Sequence, residues 1–165
     1  MSSAEAAGLK FTPLEEIPQT VERLRKAFLS NKTKPIEYRK NQLKSLLFAL
    51  KDNEQAFKKA IHKDLGRSDF ESSLAEITTI INECVETIHG VDKWAKDEKP
   101  WAGLAWATHG TVVRKEPKGT VLVIGAWNYP ITVQVGPLIA AIAAGNTCIL
   151  KVSEPSKPLC AVCGC

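Results

Sequence analysis

Two short stretches of this 165-residue chain hold most of the side chains equipped for chemistry. Gly125-Ala126-Trp127-Asn128-Tyr129-Pro130 joins a glycine, two large aromatic rings and a carboxamide in six residues. Leu150-Lys151-Val152-Ser153-Glu154 sets a cation and an anion close together. The first stretch offers an amide donor and the second a charged pair, a combination that can hydrogen-bond a polar ligand. Each part also has a plain structural use. Asn128 can cap a following helix, where Asn is favoured, Trp127 and Tyr129 can be core aromatics, and Lys151 with Glu154 can be a solvated pair of little energetic weight. Neither G-x-G-x-x-G nor a P-loop pattern occurs, so motif alone gives no phosphate-binding loop.

Cysteine chemistry is the other candidate. Five cysteines without a secretory leader suggest reduced thiols in a cytoplasmic protein. Cys84 falls in a helical pattern and Cys148 in a strand pattern, both as small buried apolar groups. Cys160, Cys163 and Cys165 crowd the last six residues. Their spacing offers three thiolates, but no fourth ligand completes a tetrahedral zinc site, so no metal is assigned. The closing Cys-Gly-Cys is also similar to a doubly prenylated ending. An incidental or alternative terminus explains it more simply.

The elements that must position these residues follow from periodicity. Pro18 to Ser30 reads as a helix bearing Val21, Leu24, Ala27 and Phe28. A second helix after Lys34-Pro35 carries Leu43, Leu46, Leu47 and Leu50, and Asp52-Asn53 offers an N-cap for a third that ends near Gly66. Ser68 and Glu71 have capping-box spacing. They open a long helix striped by Leu74, Ile77, Ile81, Cys84, Val85 and Ile88. Thr111 to Lys115 is a short strand candidate followed by a turn at Glu116-Pro117-Lys118-Gly119. Thr120 to Ile124 is apolar and mostly β-branched, as expected of a strand buried on both faces. Ile131 to Ala144 reads as a helix covered on every side, with Pro137 expected to kink it or begin its second part. Gly145-Asn146 stops that helix, and Thr147 to Leu150 is a second strand. Strand, helix, strand is a βαβ unit, and ligands gather at the carboxyl ends of such strands. Both reactive stretches lie there.

Composition sets the outer bounds. Hydrophobic residues make up 44% and charged residues 24%, ordinary globular usage for one domain. A net charge of +4 does not suggest a nucleic-acid binder or a polybasic membrane binder. All but three charges precede residue 119, and 119–150 carries none. Gly125, Asn128, Pro130, Gly136 and Pro137 interrupt that run, so it reads as buried core and not a membrane span.

Val121 to Pro130, then Ala143-Ala144-Gly145-Asn146-Thr147, then Leu150-Lys151-Val152-Ser153-Glu154, together resemble the aldehyde dehydrogenase superfamily. The Asn-Tyr-Pro form of the loop and the short N-terminal region are most similar to its class 3, fatty aldehyde dehydrogenase-like branch. Lys63-Asp64-Leu65-Gly66 extends the resemblance into the helices, and it runs to about Pro158. It implies an α/β fold: N-terminal helices over 1–100, the first βαβ unit of a Rossmann-like NAD-binding domain over 101–158, and a divergent Cys-rich tail over 159–165. It also implies roles. Asn128 is the oxyanion-hole carboxamide, Trp127 and Tyr129 line the aldehyde and nicotinamide pocket, and Ala126 lies beside them on the cofactor side. Lys151 and Glu154 hold the adenosine ribose hydroxyls, and an acidic ribose partner favours NAD over NADP, though the branch uses either.

The implied activity is oxidation of aldehydes, aliphatic or fatty ones, to carboxylic acids by a cytoplasmic homodimer. The family's cysteine nucleophile, glutamate base and Gly-Ser-Thr loop come downstream of the Leu-Lys-x-x-Glu motif, and none of the five cysteines here matches the nucleophile. The chain alone is therefore expected to be inactive. It is also expected to be marginally stable, with Ile139, Ile142 and Ile149 short of packing partners. The alternative is a non-catalytic truncated isoform that associates with full-length subunits, because Thr111 to Lys115 lies where the family sends strands toward its dimer partner.

Overall fold

A computed structural model describes residues 12–153. The helices α1 (Glu16–Leu29), α2 (Ile36–Asp52) and α3 (Glu54–Leu65) come first. A single turn, α4 (Asp69–Ser72), runs through a π-helical segment, Ser73–Ile77, into α5 (Thr78–Trp94). The strand β1 (Thr120–Ile124), the helix α6 (Thr132–Ala143) and the strand β2 (Thr147–Lys151) follow. The two strands pair in parallel, from Thr120 opposite Thr147 to Ile124 opposite Lys151. This is the expected βαβ unit, in a mixed helix and strand fold.

The core lies between helices. Leu43 and Leu50 of α2, Phe57 and Ile61 of α3, Ile77, Ile80 and Cys84 near and in α5, and Ile131 and Ile139 beside and in α6 form one buried cluster. Burying an aliphatic side chain stabilises a fold by about 1.5–3 kcal/mol, and through Ile131 and Ile139 this cluster ties α6 to the N-terminal helices. Ile139 is fully buried in it and is not short of partners, contrary to expectation. Ile142 and Ile149 are half-buried.

Several local expectations need correction. Asn53 does not cap α3; its side-chain amide instead donates back to Ala49 O at 2.8 Å, closing α2. Ser68 Oγ does accept from Glu71 N at 3.2 Å. The Glu71 carboxylate meets Arg67 Nε at 3.6 Å. The π turn rephases the long helix, so that Leu74 is exposed while Ser72, Glu76, Ile77 and Ile80 turn inward. Thr111 to Lys115 forms a single antiparallel bridge, Val113 with Glu98, and not a strand. The segment 116–118 is not a turn, and the chain bends at Gly119. β1 is not covered on both faces, since Leu122 is 58% and Ile124 is 65% exposed. Pro137 sits inside α6 on an exposed side, and the helix continues through it.

The closing turns match expectation. Gly66 adopts φ +68° and its N–H reaches His62 O. At the end of α6, Gly145 takes φ +86°, its N–H donates to Ile142 O, and Asn146 N–H donates to Ala141 O. That pair of bonds is a Schellman close, which satisfies carbonyls the helix cannot. Among the described residues no helix is long and apolar enough to cross a membrane, and no group of three or more His, Cys, Asp or Glu side chains could hold a metal.

Candidate functional site

Parallel pairing brings the carboxyl ends of β1 and β2 side by side, with Ile124 opposite Lys151. Gly125 N–H donates to Lys151 O at 3.1 Å and extends the ladder by one residue. Gly125 is buried against α6: a Cβ there would lie 2.0 Å from Gln134 Cγ. Only glycine allows the strand to leave the sheet this close to the helix. The next four residues, Ala126, Trp127, Asn128 and Tyr129, are exposed, and Pro130 is buried again. The chain thus dives, surfaces for four residues, and dives into α6.

Those four residues and Lys151 share one edge of the sheet, as the sequence implied. Glu154 lies outside the described residues, as do Cys160, Cys163 and Cys165. Trp127 is 55% and Tyr129 is 40% exposed, so neither is a core aromatic. Asn128 does not cap α6, since no side chain of its N-cap region does. Among the described residues its carboxamide meets no hydrogen-bond partner and remains open to solvent.

The N-terminus of α6 is held instead by Glu76. Its side chain is fully buried, and its Oε2 accepts from Ile131 N at 2.8 Å and from Thr132 N at 3.4 Å. A negative group at that position complements the positive end of the helix dipole. Oε1 accepts from Arg67 Nη1 at 2.6 Å. The second nitrogen of the same guanidinium, Nη2, donates to Asn128 O at 2.5 Å. Arg67 also stands over the Tyr129 ring, 4.3 Å from its centre, in cation–π contact. Burial pushes the Glu76 carboxyl above its usual range, against the pull of the two backbone N–H groups and Arg67.

Neither Arg67 nor Glu76 is among the residues singled out from sequence. Glu76 stands beside Ile77 in an amphipathic helix, where a lone acid reads as surface. The π turn that rotates it inward leaves no periodic trace. A signal was nevertheless present in Arg67, a cation immediately after the Gly66 helix stop.

The two described cysteines lie in α5 and β2, outside the 125–130 loop. Cys84 is fully buried and its thiol donates to Leu43 O at 3.4 Å. Cys148 is half-buried in β2. Burial raises the acid dissociation constant exponent of both thiols above the ordinary range, with Glu83 adding to the effect at Cys84.

Comparison with known proteins gives the family and the fold. The model of the aldehyde dehydrogenase family matches residues 5–164. Bovine aldehyde dehydrogenase family 3 member B1 is 42% identical over 144 residues, which cover 87% of this chain and 31% of that protein. The substrate-bound structure of Staphylococcus aureus AldH superposes with a TM-score of 0.87 at 35% identity, over 89% of this chain and 32% of that one. The NADP complex of glyceraldehyde-3-phosphate dehydrogenase GapN from Methanocaldococcus jannaschii, at 22% identity and a TM-score of 0.76, shares the fold over 94% of this chain. The chain spans about a third of the length of these relatives. On the family match and the shared fold, this chain belongs to the aldehyde dehydrogenase family.

Proposed function

We propose that this chain supplies the oxyanion donor and part of the cofactor edge of a nicotinamide-dependent aldehyde dehydrogenase acting on aliphatic or fatty aldehydes. The exposed, unpartnered carboxamide of Asn128 carries the reading. As a nucleophile adds to an aldehyde, the carbonyl oxygen gains negative charge, and an N–H aimed at it stabilises that charge. One such donor is worth about 3–4 kcal/mol in a dry site. Helix capping would have consumed the carboxamide, and Glu76 performs that task instead.

The edge formed by the β1 and β2 ends is assigned to a nicotinamide dinucleotide in this reading, as the family membership supports. Ala126 and Trp127 border the site, Tyr129 adds a second exposed ring, and Lys151 stands at the end of the adjacent strand. Lys151 and Glu154 are assigned to the ribose hydroxyls, which favours NAD over NADP. The bound nicotinamide would serve as hydride acceptor. Residues 101–158 form the opening of the cofactor domain in this reading, and the enzyme-length protein is a cytoplasmic homodimer.

The 165-residue chain alone is inactive on this view, because the family's cysteine nucleophile follows the Leu-Lys-x-x-Glu motif and none of the five cysteines here matches it. Purified chain incubated with hexanal and NAD should yield no NADH. In the enzyme-length protein, Asn128→Ala should lower kcat by about 10²–10³-fold. Unchanged kcat in that variant would remove the oxyanion assignment.

A further inference from the structure

We infer that Arg67 and Glu76 are positioning residues for the Asn128 loop: one guanidinium and one buried carboxylate fix the backbone on both sides of Pro130 and so aim the carboxamide. The inference rests on the proposed oxyanion role for its functional meaning, but its physical content stands apart. A loop with four exposed residues has few contacts of its own and would sample several conformations. Here its two flanks are tied to the same pair. Arg67 Nη2 holds Asn128 O, and Arg67 lies over the ring of the next residue, Tyr129. Glu76 Oε2 holds Ile131 N and Thr132 N. The two side chains meet through Nη1 and Oε1, so the tie is continuous from residue 128 to residue 132.

The choice of side chains is specific. A guanidinium presents several N–H donors in a rigid fork, which lets one group reach a carboxylate and a carbonyl at once. An ammonium can neutralise Glu76 but lacks that fork. The carboxylate, fully buried at a helix start, needs all its partners, because a buried charge without them is costly. The π turn over Ser73–Ile77 brings it there, rotating Glu76 inward at the cost of exposing Leu74. A single carboxamide donor loses its value when misaimed, since a displacement of about 1 Å can cost 10²-fold in rate.

The test is amide exchange and side-chain NMR on the 165-residue chain with Arg67→Lys and Arg67→Met. In Arg67→Met, exchange at Ile131 and Thr132 should accelerate at least about tenfold, while Leu43 and Cys84 amides keep their protection. The Asn128 side-chain amide and Tyr129 ring signals should move to averaged values. Arg67→Lys should restore protection at Ile131 and Thr132 but leave Asn128 averaged. The inference is overturned if Asn128 and Tyr129 keep wild-type signals in Arg67→Lys, whether or not Arg67→Met folds. It is also overturned if core and loop protection fall in step, which would mean a purely global role. A loop that loosens as expected in a protein whose Asn128→Ala variant keeps full kcat would reject the oxyanion reading and leave the clamp intact.

Discussion

At its N-terminal end α6 meets a buried carboxylate; at its C-terminal end it meets a buried guanidinium. Both match the helix dipole, yet they leave very different surfaces. At the C-terminal end, Arg39 donates through Nη1 to Ala143 O at 3.0 Å, through Nη2 to Lys34 O at 2.7 Å, and through Nε to Thr33 O at 3.2 Å. Thr33 Oγ1 adds a bond to Gly145 O at 2.7 Å. Gly145 leaves room for the guanidinium, since a Cβ there would stand 2.8 Å from Arg39 Cζ. All three hydrogen bonds of Arg39 go to backbone carbonyls, and the region is scaffold. At the N-terminal end, Glu76 and Arg67 consume the backbone groups, and side chains are left over. Asn128 faces solvent, while Gln134 Nε2 and Thr132 Oγ1 are buried without a partner among the described residues. An end with all its groups satisfied can only support; an end with donors in reserve can bind.

The contrast breaks most sharply at Glu76. Glu76→Ala strands Arg67 beside a bare helix start and should destabilise the chain by about 3–5 kcal/mol, measured by urea unfolding. At the other end, Arg39→Met frees carbonyls that solvent can partly reach, and a smaller loss of about 2–3 kcal/mol is expected. Equal losses would mean that both ends are scaffold alike. Gly125→Ala drives a methyl into Gln134 Cγ, near the root of that side chain, and should cost about 1–3 kcal/mol. A Gly125→Ala, Gln134→Ala double variant should recover part of this.

A pH titration separates the two ends further. Burial raises the Glu76 carboxyl in the folded chain above its unfolded value. The proton-linked stability is therefore fully present below the ordinary glutamate range, about pH 4.3, and is lost as pH rises through the raised folded value. The stability advantage of wild type over Glu76→Gln should shrink from pH 4 to pH 7, whereas the Arg39→Met difference should stay nearly flat. The smallest effect belongs to Ser68→Ala, about 1 kcal/mol, from loss of the α4 cap. A thermal melt would show it without any change in the Asn128 signals.

Local rules carried the reading of the sequence well where structure is local. Helix stripes, the stop at Gly66, the Gly145-Asn146 close and the β-branched strands are each written within a few neighbouring residues. The loop 125–130 was legible for the same reason. Its clamp was not, because Glu76 and Ile131 are 55 positions apart and only the tertiary fold joins them. Arg39 had the same difficulty: a cation in α2 reads as surface until Ala143 O arrives 104 positions later. The strand expectation at Thr111 to Lys115 failed because alternation and β-branching describe a half-buried surface. Here Val112 and Val113 remain largely exposed and find one bridge only.

Cys84 turns the helical core into something that can be timed. Its thiol touches Leu43 O at the α2–α5 contact and has no route to solvent while those helices stay together. Alkylation at this position, located by peptide mass, counts each separation of α2 from α5 as an irreversible mark. The accumulation of that mark is a clock for core opening, read at the chain's own cysteine without an engineered probe site.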